Sequence, residues 1–329
     1  MKIGVVFNLE KSSGGSYHQA LKTIKILSKI EGLGLKFYNI KQQKNEFFDD
    51  KIKIYKTNLL DKIFFLFYKS EILKSFLKKF KITNRFENFF KKEGIDIIYF
   101  IGNSRFSIFC DKLDYITYIY EFHHIFRPDL PEYKGWTDFD FRESIIFRDV
   151  RKAISIIVDT KKKASDLIKY YNCIDSKINV IPLVSNIIKE ENYTKKKLSD
   201  QLESFLSEKK EFYFYPAQYW SHKNHVYILE SVKILKEKFN KNIYFVFTGS
   251  KKENFKKITS IISKYNLDKQ IYLFDYLEDE ELIELYKNSK ALVMPSLIGY
   301  SSLPLYEAFY FQTPVFYTKN LLDEDLKEF

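Results

Sequence analysis

Short apolar runs alternate with stretches of helical period along almost the whole chain, and this alternation restricts the fold to parallel α/β sheets. In the first half Ile3 to Phe7, Ile97 to Ile101, Tyr115 to Tyr120, Ile154 to Val158 and Ile178 to Ile181 read as strands. The spacing predicts helices over 17–30, 139–152 and 161–171. From about Ile187 to Lys210 the sequence turns charged and irregular, which reads as an interdomain connection holding one short helix. A second series follows, with strands at Phe212 to Tyr215, Ile243 to Thr248, Ile271 to Phe274, Ala291 to Met294 and Val315 to Tyr317. Two domains are therefore expected, 1–186 and 211–329, joined by 187–210. A chain of 329 residues gives each domain room for its own core.

Two cysteines, Cys110 and Cys173, stand far apart and without metal-ligand spacing, so neither a disulfide framework nor a zinc site is indicated, and a reducing, cytoplasmic compartment is expected. The start, MKIGVVFNLEK, alternates as a strand rather than following the order of a secretory signal. Nowhere do about 18 uncharged apolar residues run together, so no membrane span is expected. The net charge is +11, and Lys51 to Ile95 holds 11 Lys and one Arg against Asp61, Glu71, Glu87 and Glu93. Within this stretch Phe64, Phe65, Phe67, Phe76, Phe80 and neighbouring Ile and Leu alternate with lysines. Such a basic amphipathic pattern fits docking on an anionic membrane surface; the competing reading is a solvated lysine face over an ordinary core stripe. No nucleic-acid reader motif accompanies the basic residues.

Four segments carry candidate chemistry. PSLIGYSSLPLYEAFYFQTPV, from Pro295 to Val315, follows a predicted strand with a small-residue loop and a helix from Leu303, with Pro304 in its first turn. Glu307 on that helix can accept two hydroxyl bonds, as a ribose diol requires, or can simply support the positive helix end. Lys223, in YPAQYWSHKNH, falls between a predicted strand and a helix, where an ammonium meets a diphosphate over the helix N-terminus, or is simply solvated. The Gly14–Gly15–Ser16 turn after the first strand permits close backbone approach by an anion or a hydroxyl-rich group, and is equally readable as a tight connection. YIYEFHHIFRPDLPE packs Glu121, His123, His124, Arg127 and Asp129 into nine residues, a site candidate; a backbone-bonded His or an Arg127–Asp129 surface pair is the alternative.

The Pro295–Val315 segment resembles the signature of glycosyltransferase family 4, retaining enzymes of the GT-B fold, through Pro295, Ser296, Leu303, Pro304, Glu307, Ala308, Thr313, Pro314 and Val315. The first of that signature's two Glu residues is replaced by Gly299, as in one branch of the family. The resemblance implies two Rossmann-like domains facing each other across a cleft, the first binding the acceptor and the second the nucleotide sugar. It implies that Lys223 grips the donor phosphates, with Gln218 standing where an Arg is usual. Gly249 closes a strand end, Tyr276 and Leu277 hold the base through backbone, and Glu307 holds the ribose. Gly299 to Leu303, including Tyr300, Ser301 and Ser302, offer amides to the developing charge. Gly14, Gly15 and Ser16 would touch acceptor or phosphate, His124 would lie near the reacting sugar and Glu121 near the acceptor.

The expected activity is transfer of a sugar from a nucleotide-diphosphate donor to a glycan or polyprenyl-linked acceptor, without cofactor or metal. The branch implies bacterial surface-polysaccharide synthesis, O-antigen or capsule, at the inner face of the plasma membrane. LLDEDLKEF closes the chain without the further elements of family members, which reads as truncation. A sugar-nucleotide epimerase of the same fold, with His124 as base, and a non-catalytic relative that binds sugar nucleotides are the alternatives.

Overall fold

The computed structural model describes residues 1–7, 15–40, 52–80, 82–102, 104–134, 136–183, 185, 187–188, 197–300 and 302–322. Two compact units emerge: residues 1–122 with 135–182, and residues 123–134 with 183–329.

In the first unit the chain runs β1 (Lys2–Phe7), α1 (Gly15–Leu27), β2 (Gly34–Asn39), β3 (Ile52–Ile54), α2 (Leu59–Lys69), α3 (Glu71–Lys79), α4 (Arg85–Lys92), β4 (Ile97–Phe100), β5 (Asp114–Tyr118), α5 (Trp136–Lys152), β6 (Ser155–Val158), α6 (Lys161–Tyr171) and β7 (Ile178–Val180). Its seven strands lie in the order β3-β2-β1-β4-β5-β6-β7, all parallel. The direction of winding reverses between β1 and β4, the position where open α/β sheets accept ligands. Strands buried on both faces are continuous apolar runs, and Val5, Val6, Ile98, Phe100, Ile156 and Val158 are each almost inaccessible.

Aromatic rings fill the space between this sheet and α4: Phe86 lies 4.8 Å from Phe90, 5.5 Å from Phe106 and 5.3 Å from Tyr55. Their polar edges are satisfied internally, since the Tyr55 hydroxyl donates to Asp61 at 2.7 Å and Arg85 pairs with the same carboxylate at 2.9 Å. Asn58 and Asp61 form a capping box at the start of α2, and Thr160 caps α6 through the Lys163 amide at 3.1 Å. Lys163 is itself buried, paired with Asp159 at 2.5 Å and donating to the Tyr120 carbonyl at 2.6 Å, which gives it a structural role in the first unit.

The second unit runs α7 (Asp200–Ser207), β8 (Phe212–Pro216), α8 (His225–Phe239), β9 (Tyr244–Thr248), α9 (Phe255–Lys264), β10 (Ile271–Phe274), α10 (Asp279–Asn288), β11 (Ala291–Met294), α11 (Leu303–Tyr310) and β12 (Val315–Tyr317). Its parallel sheet has the order β10-β9-β8-β11-β12, with the reversal between β8 and β11. The helix α7 is the one expected within the interdomain connection; it buries Leu202 and Phe205 in the core, Phe205 meeting Phe212 and Tyr272 at 5.1 and 4.6 Å.

Candidate functional site

The carboxyl ends of β8 and β11 are neighbours at the reversal point of the second sheet, and the two loops that leave them are bonded to one another. After Pro216 the chain passes Gln218 and Trp220, makes a 3-10 turn over Ser221–Lys223, takes the left-handed conformation at Asn224 (φ 55°) and enters α8. After Met294 it passes Pro295 to Ser302, turning at Gly299 with φ 106°, before α11. The Leu297 amide donates to the His222 carbonyl at 2.8 Å, and the Asn224 side chain donates to the Pro295 carbonyl at 3.2 Å. The Tyr215 hydroxyl reaches up from β8 to the Lys223 carbonyl at 2.8 Å and lies 3.1 Å from the Ser296 hydroxyl. Burial pushes the Tyr215 phenol far up, so it remains a donor. From β12, Tyr317 donates to the Gly299 carbonyl at 2.8 Å. Both loops are thereby fixed to the sheet beneath them.

Lys223 stands in this frame half-buried, with no carboxylate paired to it among the described residues. Desolvation pulls its ammonium down to about 8, so at neutral pH it is a cation lacking a counter-charge. No side chain caps the start of α8, whose N-terminal dipole has the same sign. Neighbouring His225 adds no charge: it is wholly buried, stacks on Tyr219 at 4.9 Å, and burial followed by the Lys223 charge lowers its imidazole to about 3. A cation and a helix start at a sheet reversal form an anion site. Gln218 accepts a bond from Trp220 Nε1 at 2.8 Å and is half-buried. Gly249 underlies it: a Cβ there would meet the Ala217 carbonyl carbon and oxygen at 2.8 Å and the Gln218 nitrogen at 2.9 Å, with φ at 149°. Only glycine lets the β9 loop lie against the β8 loop.

Glu307 is 7% exposed and lies beyond the first turn of α11, which contains no acidic residue, so support of the helix end does not account for it. Ser185 donates to one of its oxygens at 2.5 Å and Tyr286 to the other at 2.7 Å. Burial raises its carboxyl and the two hydroxyls pull it partly back. Two bonds leave lone pairs for a further hydroxyl. Gly299 meets nothing within 4 Å of a built Cβ, so its constraint is conformational: a Glu at φ 106° would be strained. Tyr300 is half-buried and meets the His123 ring edge-on at 6.0 Å, Ser302 precedes α11 without a side-chain cap, and Leu303 opens the helix. Tyr276 is 37% exposed and Leu277 is buried, both after β10, where the Asp275 carbonyl accepts from Thr248 at 2.5 Å.

The histidine segment follows β5. His123 and His124 lie on a 3-10 turn, both buried, and this turn belongs to the second unit whereas Glu121 belongs to the first. His124 faces Tyr133 at 6.1 Å, so His123 is the one that reaches Tyr300. Glu121 forms an ion pair with Arg142, and Arg127 pairs bidentately with Asp129 at 2.7 and 2.6 Å as a surface pair. Gly15 opens α1, whereas Gly14 and Ser301 lie outside the described residues, as does the Ser16 side chain. Sequence reasoning missed three partners: Ser185, Tyr286 and Glu132, which binds His222. None lies near its partner in sequence, so no spacing signal could have revealed them.

Metal ligation draws no support from clustering, since the described residues contain no group of three His, Cys, Asp or Glu side chains able to hold an ion. Asp-x-Asp, a sequence able to hold a divalent ion, occurs at Asp138–Asp140 at the start of α5 and at Asp323–Asp325.

The fold is that of GT-B glycosyltransferases. The chain is similar to WaaG, a glycosyltransferase involved in lipopolysaccharide biosynthesis, at 12% identity over 99% of this chain and 84% of that one, with a TM-score of 0.67. Sucrose-phosphate synthase from Thermosynechococcus elongatus gives 12% identity, 97% and 82% coverage and a TM-score of 0.66. Anabaena Alr3699/HepE in complex with UDP-glucose gives 12%, 96% and 80%, and 0.63. The family model described as Glycosyl transferases group 1 matches residues 196–321, which include both loops of the site and the whole second sheet, and supports a glycosyl-transfer role. No curated protein matches the sequence significantly.

Proposed function

We propose that the chain is a retaining glycosyltransferase of family 4, moving a sugar from a nucleotide-diphosphate donor to a glycan or polyprenyl-linked acceptor in bacterial surface-polysaccharide synthesis. The observation that carries this reading is Lys223, a cation without a carboxylate partner among the described residues, held by its own carbonyl at the sheet reversal beside the start of α8. HepE, which shares the fold, binds UDP-glucose, and WaaG serves lipopolysaccharide synthesis, so both the donor class and the context have precedent in this architecture.

As the bond to the diphosphate breaks, negative charge grows on the leaving group and positive charge on the sugar carbon. Lys223 and the amides leading into α11 stabilise the first. Gln218 donates without charge, so the burden on Lys223 is larger than where an Arg shares it. Glu307 anchors the ribose and the backbone at Tyr276 and Leu277 the base. With charge neutralised by the protein, the reaction proceeds without metal, and the acceptor hydroxyl attacks from the face the diphosphate leaves, passing its proton to the departing phosphate. An epimerase would need a base reaching the sugar, and His124 is 1% exposed, which favours the transferase. Lys223→Ala is expected to lower kcat by about 10²–10³-fold. A loss below about tenfold would remove Lys223 from the mechanism.

A further inference from the structure

The loop after β9 is fastened to the loop that carries Lys223. The Ser250 carbonyl accepts from the Tyr219 amide at 3.3 Å, the Tyr219 carbonyl from the Asn254 amide at 3.2 Å, and the Glu253 carboxylate from the Ser221 amide at 2.9 Å. With Gly249 lying against Ala217 beneath them, the two loops form one surface.

Two adjacent lysines leave this surface in opposite directions. Lys251 turns toward β10, where its ammonium pairs with Asp275 at 2.9 Å. Lys252 turns toward the β8 loop and holds its ammonium 5.3 Å from the centre of the Trp220 ring, a cation–π contact that fixes where the charge sits. The same indole donates through Nε1 to Gln218 Oε1 at 2.8 Å. Ammonium, indole and amide are thus linked in succession, and the series ends on the residue that brings the site a hydrogen bond but no charge. β9 lies between β8, which leads to Lys223, and β10, which leads to Tyr276 and Leu277. A nucleotide with its base at the β10 end and its diphosphate at the β8 end crosses the tip of β9 on the side that Lys252 takes. The diphosphate carries more than one negative charge, and Lys223 answers only one.

We propose that Lys252 is a second cation for the donor diphosphate, held over Trp220 and supplying the charge that Gln218 lacks. The inference rests on the reading of the Lys223 loop as the phosphate site, and its test separates the two. The full chain is titrated calorimetrically with UDP, GDP, dTDP and ADP at low and at high KCl. Lys252→Met keeps an apolar stem over Trp220 and removes the charge; it is expected to weaken the diphosphate that binds by about tenfold and to flatten the dependence of its affinity on salt. Lys252→Arg should restore both, and Lys251→Met, whose lysine faces Asp275, should change neither. Melting curves superimposable on the parent's check that the variants fold. If Lys252→Met binds as the parent does while Lys223→Met binds weakly, this inference alone is overturned. It is likewise overturned if Lys251→Met weakens binding as much as Lys252→Met, since the effect would then be general surface charge, or if Lys252→Met weakens binding with the parent's salt dependence, since the role would then be structural. A folded parent that binds none of the diphosphates would overturn the phosphate-site reading and this inference together.

Discussion

One carboxylate oxygen of Glu132 receives both the backbone N–H of His222, at 3.1 Å, and the imidazole Nδ1, at 2.6 Å. Ninety positions apart in sequence, these residues fix the turn that carries Lys223. Burial would raise the Glu132 carboxyl, but the bonds from His222 and from its own backbone amide hold it below the ordinary range, so it stays ionised. Glu132→Ala should destabilise the chain by about 1–3 kcal/mol and weaken nucleotide-diphosphate binding several-fold by loosening the Lys223 turn. Calorimetric melting and titration check both effects, and unaltered donor binding would separate Glu132 from the site.

Lys223 predicts an alkaline limit to donor binding. Its ammonium, held down to about 8, is charged below that pH and neutral above it. The dissociation constant for a nucleoside diphosphate should be flat through neutrality and then rise toward tenfold per pH unit above about 8. Lys223→Met should bind weakly and without that rise.

Gly249 and Gly299 both have φ in the range that disfavours side chains, and they differ in what surrounds them. Alanine at 249 adds overlap with the Ala217 and Gln218 backbone to conformational strain, a loss of about 2–4 kcal/mol. Alanine at 299 meets only the strain, about 1–2 kcal/mol. Chemical denaturation of the two variants should preserve that order.

Asp149 in α5 predicts an acidic stability profile. Burial lifts its carboxyl to about 7 against the Tyr115 hydroxyl bonded to it at 3.0 Å and the nearby Arg148. Between the unfolded value of about 4 and this folded value the native state keeps a proton the unfolded chain has lost, so stability falls as pH rises through that window and levels off above it. Asp149→Asn should show a shallower decline from pH 4 to 7 in urea midpoints; an unchanged slope would assign the titration elsewhere.

Strands of the second sheet were legible to within a residue or two because double-sided burial writes each as an apolar run, as in Phe212–Pro216 and Ala291–Met294. β2 and β3 were not, since Gly34–Asn39 ends in polar residues and Ile52–Ile54 is a short edge strand interrupted by Lys53. Lys223 and Glu307 announced themselves by their loops and motif. Their supports did not: Tyr286 and Ser185 reach Glu307 across 21 and 122 positions, and only packing brings them together. The cluster of titratable residues from Glu121 to Asp129 was legible as a density of charge, but the 3-10 turn that buries His123 and His124 was not.

The most direct test of the account is thermal melting of the chain against UDP-, GDP-, dTDP- and ADP-sugars, because a ligand at about a hundredfold over its dissociation constant stabilises a folded site by about 2.7 kcal/mol. One nucleotide class is predicted to raise the melting temperature, with the shift lost in Glu307→Ala and in Lys223→Met. A cooperatively melting parent that no nucleotide shifts, or a shift that both variants retain, would contradict a donor site at the β8–β11 reversal.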